Sequence, residues 1–177
     1  VVMFLQGGAS LQFAMIPMNL AAAGDRADYV ETGYWSKKAI AEGRRHVDVN
    51  VASADRAHMT DPALWNLSAD ARYVHITTNE TIDGVQFPAT PALADGSAAL
   101  VADMSSDFLS QPLDVGPFGL IYSGAQKNVG PAGICVVIVR RELVGKARAG
   151  TPSMLDYANH TNEPGAEPEM YNTPATY

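Results

Sequence analysis

The sequence predicts an α/β domain whose mainly parallel sheet is flanked by helices, and three observations carry that expectation. Short runs rich in Val, Ile, Tyr and Ala alternate with segments of helical period or irregular loop. The run "ICVVIV" (134–139) is apolar from end to end, as a strand covered on both faces must be. Of 177 residues, 47% are hydrophobic and 18% charged, which supplies a real core and is incompatible with wholesale disorder.

Taken in order, the strand runs are "VVMFL" (1–5), "DYVETG" (28–33), "HVDVNVA" (46–52), "RYVHITT" (72–78), "AALVADMS" (98–105), "GLIYSG" (119–124) and "GICVVIV" (133–139). Each is bounded by turn residues. Helical patterns fall at "SLQFAMIPMNLAA" (10–22), "SKKAIAEGRRH" (36–46) and "RRELVGKAR" (140–148). From Pro152 to Pro174, Pro, Glu, Asn and Gly dominate and no period of 2 or 3.6 survives. That stretch is expected to be a long surface loop. The division is therefore a ligand-binding domain over 1–150 and a loop or contact segment over 151–177, with no internal repeat.

Bulk properties exclude several functions. A net charge of −7 and an isoelectric point near 4.9 oppose a nucleic-acid surface, which needs clustered Lys and Arg. The one basic run, Lys37 to His46, has the spacing of a solvated helix face. No apolar run approaches the roughly 20 residues a membrane span requires. Cys135 is the single cysteine, so no intrachain disulfide can form, which suits a cytoplasmic location. The chain opens inside a strand run with neither an initiator methionine nor a basic leader, and closes on "YNTPATY"; it is expected to be a fragment.

In an open parallel sheet, ligands bind beyond the carboxyl ends of the strands. Four stretches put polar groups there. In "FLQGGASLQF", Gly7 and Gly8 precede Ala9 and Ser10 at a helix start, where free amides can hold a phosphate; a tight strand-to-helix turn would need the same glycines. Asp103 ends the run "ALVAD", where a carboxylate needs a cation or hydrogen-bond donors, a helix cap or an arginine partner being the plainer readings. Lys127 follows "GLIYSGAQ"; lysines there are usually solvated, but one held in a low-dielectric cleft loses basicity and can attack a carbonyl. Trp35, just past a strand run, offers a flat face for stacking, or is simply core. Phosphate cradle, acid and imine-forming amine at one sheet edge match the needs of pyridoxal 5'-phosphate, whose ring nitrogen Asp103 would keep protonated.

The words "FLQGGASLQFAMIPMNL", "TGYWSKKAI", "NETIDG", "ADMSSDFLSQPLDV", "YSGAQKNVGPAG" and "MYNTPATY" together resemble the phosphoserine aminotransferase family, in order and over essentially the whole chain. The resemblance implies the large domain of a fold-type-I pyridoxal-phosphate transferase, with that cofactor and no metal. It implies that Lys127 forms the Schiff base and shuttles the substrate proton, that Asp103 pairs with the pyridine nitrogen, and that Trp35 stacks on the ring. Thr81 would bond the phenolic oxygen. Ala9, Ser10 and Gln126 would hold the phosphate, joined by Asn172 and Thr173 reaching in from the other subunit of a homodimer. The implied reaction converts 3-phosphohydroxypyruvate and L-glutamate into O-phospho-L-serine and 2-oxoglutarate, a step of serine biosynthesis. The residue pattern also suits an alanine-glyoxylate aminotransferase, a cysteine desulfurase, or a non-catalytic phosphate-binding module.

Overall fold

Seven strands form one twisted sheet among the residues that the computed structural model describes, 1–54, 61–94 and 98–161. The elements are β1 (Val2–Leu5), α1 (Gly8–Leu20), β2 (Arg26–Val30), α2 (Tyr34–Gly43), β3 (Asp48–Ser53), β4 (Tyr73–Thr77), β5 (Asn79–Glu80), β6 (Val85–Gln86), β7 (Ala99–Asp103), β8 (Phe118–Gly124) and β9 (Cys135–Val139). The sheet order is β1-β9-β8-β7-β4-β2-β3; neighbouring pairs among β3, β2, β4, β7 and β8 run parallel, while β9 is antiparallel to both β8 and β1. The reversal follows from the connection: residues 125–134 are too few for the crossover that a parallel partner needs. β9 is nonetheless covered on both faces, as its unbroken apolarity predicts.

Alternation divides the core into two layers. Met3, Leu5, Tyr29, Tyr73, Val101, Leu120, Tyr122 and Val137 face α1, which contributes Phe13, Met15 and Ile16. Val30, Val74, Ile76, Leu100, Ala102, Ile121 and Val136 face the other way, against Trp65, Phe87 and Phe108. On α2 the lysines Lys37 and Lys38 point to solvent and Ala39 and Ile40 inward, so the basic run is the wet face expected of it.

Two expectations need correction. The helix expected at 140–148 is only a 3-10 turn, Arg141–Leu143. The chain leaves helical geometry at the extended Val144 and turns at Gly145, left-handed at φ 77°, and the Arg140 side chain is drawn back to the carbonyls of Phe118 and Gly116. The segment after residue 150 is also no free loop over its described part. Tyr157 is fully buried beneath α1 and its hydroxyl donates to Gln12 Oε1 at 2.7 Å. Asn19 ties the same segment twice, donating from Nδ2 to the Leu155 carbonyl at 2.7 Å and accepting from the Tyr157 amide at 2.9 Å.

Asn19→Ala therefore leaves the buried Tyr157 amide without a partner, at about 1–3 kcal/mol, and the part-buried Leu155 carbonyl, which costs less. Urea unfolding is expected to show a loss of about 2–4 kcal/mol, with faster proteolysis inside 151–161 than elsewhere. Equal stability would mean that the segment contributes nothing to the fold.

Candidate active site

The chemistry-bearing side chains gather at the carboxyl edge of the sheet. Asp103 closes β7 and is 5% exposed. Its register partners are Thr77 on β4 and Tyr122 on β8, and partners on parallel strands share a face. Oδ1 of Asp103 accepts from the Ser105 amide at 3.0 Å and from the Ser105 hydroxyl at 2.6 Å. Burial pushes this carboxyl above its ordinary range; the two Ser105 bonds, the Tyr122 hydroxyl and the charge of Lys127 pull the other way. A carboxylate in that position calls for a cation or N–H group on its open side.

Lys127 sits on the 125–134 connection, which is braced by its own backbone. The Ala125 amide donates to the Ile134 carbonyl at 2.9 Å and the Gly130 amide to the Ala125 carbonyl at 2.8 Å. Asn128 Nδ2 adds a bond to the Phe108 carbonyl at 2.8 Å. So held, Lys127 Nζ donates to Thr81 Oγ1 at 3.0 Å and stands 5.2 Å from the centre of the Trp35 ring. The low-dielectric burial anticipated for this amine is not supplied by the described residues, where Lys127 is exposed at an open mouth.

Trp35 is aimed by a carboxylate from far along the chain. The Trp35 amide donates to Glu80 Oε2 at 2.9 Å, the Ser36 amide to Glu80 Oε1 at 2.7 Å, and the Tyr34 amide to Asp83 Oδ2 at 2.6 Å. Glu80 is fully buried and caps the start of α2, where negative charge is favourable. These two acids of "NETIDG" went unread in the sequence, because a capping signal is sought three residues away and these come from more than forty.

At α1, Gly7 adopts φ 88° and a Cβ there would run into Leu11, so only glycine makes this turn. No side chain caps the helix, which leaves the first amides free. The sites meet in a hollow of about 540 Å³, its mouth included, lined by Ala9, Ser10, Trp35, Asp103, Gln126 and Lys127 among others. Thr77 Oγ1 and Trp35 Nε1 are buried at this hollow without partners. Thr77 had no sequence signal; only its register beside Asp103 brings it there. Asn172 and Thr173 lie outside the described residues.

The arrangement offers free helix amides for an anion, a flat aromatic face, a buried acid and an amine bonded to a hydroxyl. It fits a planar molecule bearing an anionic arm, a basic ring nitrogen and a carbonyl carbon. Among the described residues no cluster of His, Cys, Asp or Glu could hold a metal ion, and no helix is long and apolar enough to cross a membrane.

Known proteins point the same way. The aminotransferase class-V family model matches residues 1–177. A phosphoserine aminotransferase of Pseudomonas putida is 54% identical over 180 aligned residues, covering 99% of this chain and 48% of that protein. The chain thus spans about half the length of the curated relatives it matches. A solved structure concerned with radiation damage of the Schiff base in phosphoserine aminotransferase superimposes with a TM-score of 0.84 at 46% identity, over 90% of this chain and 45% of that one. PLP-bound phosphoserine aminotransferase from Trichomonas vaginalis gives 0.81 at 39% identity, over 98% and 52%.

The raised Asp103 carboxyl sets a pH dependence. The folded state holds this proton more tightly than the unfolded one, so its stabilising effect is complete below the unfolded pKa of about 3.9 and is lost as pH climbs through the higher folded value. In cofactor-free protein, Asp103→Asn keeps the acceptor for Ser105 and removes the charge. Its melting temperature at neutral pH is expected to equal or exceed that of the parent, with a flatter profile through the acid range. A lower melting temperature at neutral pH would show that the charge is not a burden.

Proposed function

The chain belongs to the class-V aminotransferase family, and from that premise we propose that it is the cofactor-binding part of a phosphoserine aminotransferase. The reaction is reversible amino transfer between L-glutamate and 3-phosphohydroxypyruvate, giving 2-oxoglutarate and O-phospho-L-serine, in the cytoplasm. One observation carries the reading: Lys127, Asp103, Trp35 and the uncapped start of α1 open on the same hollow.

Pyridoxal 5'-phosphate, when bound, supplies a carbonyl carbon that exchanges amino groups and a ring that withdraws electrons. The residues of this chain do the rest. The amides of Ala9 and Ser10 hold the phosphate with the positive end of α1, and Gln126 adds a side-chain donor. Trp35 fixes the plane of the ring by stacking. Asp103 holds a proton on the ring nitrogen: opposite unit charges about 4 Å apart attract by about 4 kcal/mol at an effective dielectric of 20. Lys127 Nζ is the anchoring amine and carries the proton to and from the substrate α-carbon. Thr81, already bonded to Nζ, holds that amine in line and bonds the phenolic oxygen. Asn172 and Thr173 reach the phosphate of a neighbouring subunit in a homodimer. The segment from 151 onward then delivers the dimer contact, and closure by a second chain completes the desolvation that Lys127 lacks alone.

In the full-length protein, borohydride treatment after loading is expected to leave the cofactor covalently on Lys127, located by peptide mass. Lys127→Ala should abolish that label and lower the rate by about 10²–10⁴-fold or more, the usual range for a proton-transferring side chain. A label on another lysine, or full turnover by the variant, would overturn the assignment.

A further inference from the structure

We infer that Tyr122 and His75 are positioning residues for Asp103: a hydrogen-bond string from His75 Nε2–H through the Tyr122 hydroxyl keeps the carboxylate charged and aimed into the hollow. This rests on the reading of Asp103 as the partner of the cofactor's ring nitrogen. Tyr122 is the register partner of Asp103 on β8 and shares its sheet face, which sets the phenol beside the carboxylate. His75 stands two residues before Thr77 on β4, and so on the same sheet face. The separation of His75 Nε2 from Tyr122 Oη is 2.8 Å.

Burial decides which way the protons point. Tyr122 is 0% and His75 1% exposed, so the protein itself must supply every partner. Burial lowers His75 to about 3 and leaves it neutral, with one N–H to place. If Tyr122 donated to His75, the proton of His75 would sit on Nδ1, which has no partner, and the phenol oxygen would turn its lone pairs on the Asp103 carboxylate. A buried N–H without a partner costs about 1–3 kcal/mol. With the proton on Nε2, that N–H donates to the phenol oxygen, the phenol O–H is left to donate to the acid, and only a lone pair on Nδ1 goes unmatched. The other groups facing this cluster do not compete. Ser105 donates to Oδ1, Lys127 spends a donor on Thr81, and burial pushes the Cys135 thiol on β9 up to about 12. Tyr29 stacks on His75 with ring centres 5.0 Å apart and spends its hydroxyl on Tyr73. The edge of Phe13 closes the Tyr122 ring at 6.3 Å.

Three readouts on the full-length protein test the string, two of them without cofactor. Nitrogen-15 shifts should show His75 as the Nε2–H tautomer at neutral pH. Carboxyl carbon-13 titration should place Asp103 higher in Tyr122→Phe and in His75→Leu than in the parent, while His75→Gln, which restores a donor, returns it toward the parent value. Pyridoxal 5'-phosphate affinity should fall about ten-fold or more in Tyr122→Phe, the effect of losing one hydrogen bond to a charged group. An Nδ1–H tautomer, or an Asp103 midpoint unmoved by Tyr122→Phe, would overturn the inference. If the midpoint moves as expected but the parent binds no pyridoxal phosphate, the string stands and the proposed function falls.

Discussion

Everything at this site turns on keeping one almost wholly buried carboxylate at the floor of an open hollow. Asp103 sits at the last position of a strand flanked on both sides by parallel neighbours, with the α1 layer above it. The cost of that burial is met only in part from within the chain, by two bonds from Ser105 and by the neighbouring phenol. A buried charge only partly compensated is a standing attraction for a cationic ligand group. The unpartnered Thr77 hydroxyl one strand away belongs to the same polar floor.

The β5–β6 hairpin is the second organising device. β5 ends at Glu80, and the turn that begins at Thr81 lets "NETIDG" serve two places at once. Glu80 turns inward to cap α2 and so aims Trp35, while Thr81 turns toward the hollow and takes the bond from Lys127. One short element therefore couples the aromatic wall to the amine, although the three come from separate parts of the chain. Asp83 strengthens the same junction at the Tyr34 amide. The arrangement explains why this six-residue word carries so much of the family resemblance while containing only one residue expected to touch the cofactor.

Burial also separates the roles of the two groups most often treated as a pair. Asp103 is buried among strands with one side turned to the hollow; Lys127 is exposed on a braced loop. The acid depends on sheet register alone. The amine depends on what closes the mouth.

Local chemistry in the sequence was enough to pick out the seven strands of the main sheet, the two main helices, the glycine turn before α1 and the candidate residues Ala9, Ser10, Trp35, Asp103 and Lys127, because apolar period and turn residues act over a few positions. Thr81 and Gln126 entered only through the family resemblance. Local chemistry misjudged 140–148, where helical composition lost to an extended Val144 followed by a glycine in a left-handed turn, and the start of the segment after 150, whose single aromatic anchor gives no periodic signal. Only tertiary structure decided that β9 runs backward, that Glu80 caps a helix more than forty residues before it, and that Thr77, Tyr122 and His75 stand beside Asp103. The reason is physical: such contacts depend on strand order and register, which arise when the whole sheet buries its two faces together and leave no mark on any short stretch of chain.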